Sequence, residues 1–243
     1  MLVNNFGQLQ NLLEFEVGTY YKFVALVRAK DKSGVLNTKE RGEIFVRQWF
    51  VDSLQSYLKY KDDMINLCNA TGARLYVTTD RKSVKKTVFK MQEQLNDMIK
   101  QYAFGADNNV SIRKLSKFSS SASQLAECSD GPKYWLVDID NNDGEADVEQ
   151  ILKDFKLIFD NKEMLEFKTL NGYHLLFRRT FGFRDEYAKL WKKVKDKDDA
   201  LTETAYKVYE NVEQAFERLW KTRDNWCEKE NALTLVYFNS EAK

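Results

Sequence analysis

The sequence predicts an α+β fold, in which short strands alternate with amphipathic helices, and three observations predict it. Residues 20–29 (YYKFVALVRA) alternate apolar and polar side chains and are rich in aromatics and valine, the period of a half-buried strand. Residues 163–181 (EMLEFKTLNGYHLLFRRTF) read as two strands broken at Asn171-Gly172, a dipeptide that favours a tight hairpin turn. Residues 146–160 (ADVEQILKDFKLIFD) instead place Val148, Ile151, Leu152, Phe155 and Phe159 on one face of a helix.

The remaining elements follow in order. Residues 42–51 (GEIFVRQWFV) are a second strand, and 52–70 a helix with Leu54, Leu58, Ile65 and Cys68 near helical period and Asp52 or Ser53 as N-cap. A strand at 73–78 leads through a polar turn into a helix from about Ser83 to Tyr102, ended near Gly105. Residues 114–133 are loop-like, with serines at 116, 119, 120, 121 and 123, and read as a surface loop or a substrate flap. Residues 134–140 (YWLVDID) form a buried strand. Two charged amphipathic helices fill 184–223, which reads as a helical insertion, and 231–239 (NALTLVYFN) closes the chain as a strand.

With 243 residues, one proline and ten glycines, the chain has length for a sizeable core and no composition for long linkers, so a single domain over 1–243 is expected. A net charge of +1 gives no global pull toward a polyanion, so any such site must come from local clustering. Cys68, Cys128 and Cys227 are far apart and form no CxxC pair, which fits a reducing compartment and excludes a zinc ribbon or disulfide framework. No secretory leader pattern and no apolar run of ~20 residues occurs, so the expectation is a cytoplasmic protein without a membrane partner.

Three constellations carry chemistry. Asp138 and Asp140 sit at i and i+2 on a strand, so both carboxylates share one face while Val137 and Ile139 take the other. Such a pair is either a solvated strand end or a site for a hard divalent cation such as Mg²⁺ or Mn²⁺. A calcium loop starting at Asp138 fails at Asp143, where the turn needs glycine, and the Asp-x-Asp-x-Thr phosphatase pattern fails at Asn142. His174, the one histidine, follows Asn171-Gly172 and is either a half-buried sheet residue or a donor to phosphate. The basic turn 78–86 (TTDRKSVKK) puts Arg81, Lys82, Lys85 and Lys86 at a strand-to-helix junction, as a solvated helix face or an anion site. No P-loop, GxGxxG, HExxH or GxSxG occurs.

The order of these pieces resembles the archaeo-eukaryotic primase (primase-polymerase) superfamily: a strand ending in Asp138-Ile-Asp140, a helix, the Gly172-Tyr-His174 hairpin, then a late acid before a closing strand. The run of segments also looks like that of a group of small phage proteins. This resemblance implies an RRM-like antiparallel sheet with an N-terminal αβ module. It also implies a nucleotidyltransferase acting in DNA replication or repair, with Mg²⁺ or Mn²⁺ as cofactor and nucleoside triphosphates and a single-stranded or primed nucleic-acid template as partners. By the same resemblance Asp138, Asp140 and a third acid would be catalytic and metal-holding. Asp224 is the choice for that acid, with Glu228 and Asp185 as rivals. His174, Asn171, Gly172, Arg81 and Lys82 would bind the nucleotide, and Arg74 and the 119–123 serines would touch phosphate or template. Two alternatives remain: a non-catalytic nucleic-acid-binding replication accessory of the same fold, and a metal-dependent nuclease or phosphohydrolase.

Overall fold

The computed structural model describes residues 1–28, 43–104, 125–141, 147–159, 164–178, 192, 203–230 and 232–241. Within them the chain is α+β and all its strand pairings are antiparallel. The N-terminal part runs β1 (Leu2–Asn4), α1 (Phe6–Leu12), β2 (Thr19–Arg28), β3 (Glu43–Val51), α2 (Leu54–Thr71), β4 (Arg74–Thr78), β5 (Lys82–Ser83) and α3 (Val84–Ala103). The C-terminal part runs β6 (Tyr134–Asp140), α4 (Val148–Ile158), β7 (Met164–Lys168), β8 (Gly172–Arg178), α5 (Glu203–Lys221), β9 (Trp226–Glu230) and β10 (Leu233–Asn239).

Two sheets result. The first has the order β1-β10-β4-β2-β3, with β5 added to β2, and the second the order β7-β8-β6-β9. The second sheet is therefore two split β-α-β units, β6-α4-β7 and β8-α5-β9, each with a strand of the other unit between its own two. The closing strand β10 leaves this sheet altogether and pairs with β1 and β4 in the first.

Local chemistry accounts for the boundaries. Ser53 accepts a hydrogen bond from the Ser56 amide while Ser56 Oγ accepts one from the Ser53 amide, a reciprocal cap that starts α2. Gly72, at φ 66°, ends the helix in the left-handed conformation that glycine adopts without steric cost. Asp147 caps α4 through the Gln150 amide. The hairpin β7-β8 closes with the Thr169 amide donating to the Gly172 carbonyl at 2.8 Å.

The alternation along β6 sorts its side chains between two environments. Val137 and Ile139 are buried against Ile151, Leu152 and Phe155 of α4 and Ala215, Phe216 and Leu219 of α5. Complete burial of one such phenylalanine is worth about 1.5–3 kcal/mol. Leu136 faces the other way, into a core shared with α1, α2 and the first sheet. Helix α5, within the insertion expected at 184–223, packs as a layer on this sheet. Arg218 of α5 donates to the buried Asp154 of α4 from Nη2 at 2.7 Å and Nε at 3.0 Å, tying the two helices together. Apart from Lys192, the helix expected at 184–195 falls outside the described residues, as does the serine-rich 114–123.

Asn5 sets how the two sheets meet. It is buried, and its amide nitrogen donates to the carbonyls of Lys168 and Leu235 while its oxygen accepts from the Lys168 amide. One side chain therefore joins the end of β7 to β10. Among the described residues no helix is long and apolar enough to cross a membrane.

Candidate active site

Where the sheets face each other a cleft of about 210 Å³ opens. One wall comes from the first sheet, with Leu26 and Arg28 of β2, Arg74 and Tyr76 of β4, and Leu233 and Leu235 of β10. The other comes from the second sheet, with Asp138 and Asp140 of β6, Thr169, Leu170 and Asn171 of the hairpin turn, His174 of β8 and Lys229 of β9.

Sheet register explains why these residues converge. Asp138 is directly opposite His174, and Asp140 opposite Gly172, so the carboxylates and the imidazole stand on one face. Gly172 is there because nothing larger fits: a Cβ at this position would lie 1.9 Å from the Ile139 carbonyl oxygen. The close approach expected of this glycine is thus to β6, and it seats the hairpin on the carboxylate strand. His174 Nδ1 hydrogen-bonds Thr234 Oγ1 of β10 at 3.1 Å, linking the second sheet to the first.

Asp138 is buried, and Lys229 Nζ donates to its Oδ2. His174 Nε2 lies 3.3 Å from Oδ1 without hydrogen-bond alignment, so this buried oxygen has no hydrogen-bond partner. Burial pushes the Asp138 carboxyl up. The adjoining His174 and Lys229 outweigh it and hold the group down at about 2. Lys229 responds in the opposite sense: burial lowers it, but the carboxylate beside it raises it above the usual lysine value. Across the cleft, burial raises the Tyr76 phenol against the guanidinium groups of Arg74 and Arg28, which hydrogen-bond it.

These donors can be tested against Mg²⁺ or Mn²⁺, which take oxygen ligands. Asp138 Oδ1 is a buried oxygen lacking a hydrogen bond, and Asp140 lines the same cleft, so this face offers two carboxylates of the hard-donor type. Among the described residues no three His, Cys, Asp or Glu side chains gather as a metal-binding group. Asp224 is exposed in a 3-10 turn, Arg223–Asn225, and does not line the cleft. Opposite Asp138 on β9 stands Cys227, and Lys229 follows on the same face.

Arg81 and Lys82, expected at the nucleotide, lie elsewhere. Both are buried: Arg81 pairs with Glu16 at 2.7 Å and donates to the Glu14 and Asp130 carbonyls. Lys82 Nζ donates to Asp80 at 3.0 Å and to Ser129 at 2.9 Å. They knit β5 to the segment around Ser129 and are not offered to a ligand in the cleft. Arg74 does line it, together with Asn171 and His174. Sequence reasoning missed Arg28, Thr169 and Lys229; the signal that could have found Arg28 is its period-2 relation to Leu26 on the strand 20–29.

No family model, no curated protein and no solved structure matches the chain.

Proposed function

We propose that the protein is a metal-dependent nucleotidyltransferase of primase-polymerase type, which joins nucleoside triphosphates on a single-stranded or primed template. The observation that carries this reading is the cross-strand pairing of Asp138 with His174 and of Asp140 with Gly172 at the mouth of a cleft between two sheets. Two further features support it: the split β-α-β order of the second sheet, which is that of an RRM-like fold, and the αβ module that precedes it.

In this reading Asp138 and Asp140 hold Mg²⁺ or Mn²⁺, whose chemistry is to neutralise the triphosphate and to acidify an attacking hydroxyl. His174, held by Thr234, presents its Nε2 edge to the cleft beside Asp138 and orients phosphate. Asn171 lines the hairpin end of the same cleft, and Gly172 beside it lets that hairpin sit close on β6.

The test is incorporation of labelled nucleotides on single-stranded and primed templates with manganese, beside the Asp138→Ala/Asp140→Ala double variant. The reading expects synthesis that the variant loses by at least ~100-fold. Absence of synthesis by a folded wild-type protein refutes it. The ion pair between Lys229 and Asp138 favours a second reading, a nucleic-acid-binding replication accessory without catalysis, because a tethered ammonium on Oδ2 already compensates the charge of the carboxylate. Tight, salt-sensitive template binding without synthesis selects that reading, and template degradation selects a nuclease.

A further inference from the structure

We propose that the carboxylate face takes one divalent cation and not two, and that the Lys229 ammonium supplies the positive charge a second cation would bring; this deepens the reading above and rests on it. Paired cations in phosphoryl chemistry stand about 3.5–4 Å apart. Holding two dications so close takes enough carboxylates to ligate both and to offset their mutual repulsion. The resemblance to the primase superfamily implies three acids for this purpose, and the cleft brings together two.

Sheet register fixes that number. Strand β6 has a neighbour on each side, and residues directly opposite one another share a face. On the β8 side Asp138 meets His174 and Asp140 meets Gly172, neither of them an acid. On the β9 side Asp138 meets Cys227, and Lys229, opposite Leu136, is the next residue on that face. Glu228, a rival for the third acid, is opposite Val137 and therefore takes the other face. The wall from the first sheet adds Leu26, Arg28, Arg74, Tyr76, Leu233 and Leu235, again without a carboxylate. Among the described residues, Asp138 and Asp140 are thus the acids of this cleft.

The second observation is what β9 presents instead. Lys229 Nζ donates to Asp138 Oδ2, so an ammonium already stands against the oxygen that a second cation would need. A lysine ammonium is a compact point charge on a flexible stem, and half of this side chain is exposed at the sheet edge, so it can follow a phosphate oxygen as readily as it meets the carboxylate. Cys227 does not make up the missing ligand, because hard cations take oxygen and not thiol sulfur. A second dication would meet the Lys229 charge with two carboxylates alone to offset both ions.

The experiment is Mn²⁺ titration of the full chain without nucleotide, followed by electron paramagnetic resonance, which counts bound ions and broadens when two lie a few ångströms apart. One Mn²⁺ per chain is expected, with the spectrum of an isolated ion. Lys229→Glu places a third carboxylate on the face and should raise the number to two, the first ion binding about tenfold or more tighter. Lys229→Gln, which removes the charge alone, should keep one ion. Two Mn²⁺ on the wild-type chain overturn the single-cation site while leaving the proposed enzyme standing, and a folded Lys229→Glu protein that still takes one ion overturns the part given to Lys229. Retention of the ion by the Asp138→Ala/Asp140→Ala variant places it elsewhere and overturns the site. No bound Mn²⁺ on a folded wild-type chain refutes the single-cation site and the metal-dependent enzyme together.

Discussion

Asp80 and Asp138 are both buried carboxylates paired with a lysine, yet their surroundings differ in kind. Asp80 meets Lys82 at 3.0 Å and the Ser129 hydroxyl, and Lys82 in turn reaches Ser129 and the Leu125 carbonyl. Both members of that pair are at most 4% exposed. The network closes on itself. Asp138 meets a lysine whose side chain is 48% exposed, has one oxygen without a hydrogen bond, and stands at a cleft. The lesson is that a buried charge marks a site when its partners leave something unmade beside open space, and marks architecture when they do not.

The sharpest way to break the comparison is at Lys82. Lys82→Met strands the Asp80 carboxylate in the interior, and denaturant unfolding should show a loss of about 3–5 kcal/mol. A loss near zero would mean that the pair is solvated and the contrast with Asp138 false. Next comes Gly172→Ala, whose methyl must displace the Ile139 carbonyl. We expect a cost of about 3 kcal/mol and, in NMR spectra, perturbation centred on His174 and Asp138, with the Lys82 environment unmoved.

Acid titration addresses the open partner directly. The Asp138 carboxyl lies at about 2 when folded, against an ordinary value of 3.8. Its contribution of about 2 kcal/mol is therefore fully present above pH ~4 and lost as pH falls through 2. Asp138→Asn should flatten that part of the stability profile; an unchanged slope would show that other carboxylates set it. The smallest effect is expected for Lys229→Met. Half-exposed ion pairs are screened, so stability should fall by only about 1 kcal/mol, while Mn²⁺ binding followed by electron paramagnetic resonance should tighten because Oδ2 is released. Weaker Mn²⁺ binding would mean that Lys229 assists the cation and does not compete with it.

Most of the scaffold was legible because its residues repeat with the period of their element. The strand at 20–29, the helix at 146–160 and the break at Asn171-Gly172 lie within about two residues of β2, α4 and the β7-β8 turn. Strand β9 was not legible: Trp226-Cys-Glu-Lys-Glu is a five-residue sheet-edge strand with one buried apolar residue, and polar edges carry little alternation. Of the site, the Asp138, Asp140 and His174 convergence could be expected from strand parity and turn position. Lys229 could not, because its place beside Asp138 depends on β9 pairing with a strand 91 residues earlier. Arg81 and Lys82 misled for a related reason. A run of cations looks solvated in sequence, and the partners that bury it, Glu16 and Ser129, are remote.

Cys227 gives the molecule a built-in reporter. It is the exposed one of the three cysteines, Cys68 and Cys128 being buried, and it is the cross-strand neighbour of Asp138. Burial of its sulfur raises the thiol above the usual value, so attachment of a maleimide fluorophore should need mildly alkaline buffer yet remain confined to this position. A dye so placed sits within a few ångströms of the carboxylate face, where paramagnetic Mn²⁺ would quench it, and occupancy could be watched in the otherwise wild-type chain.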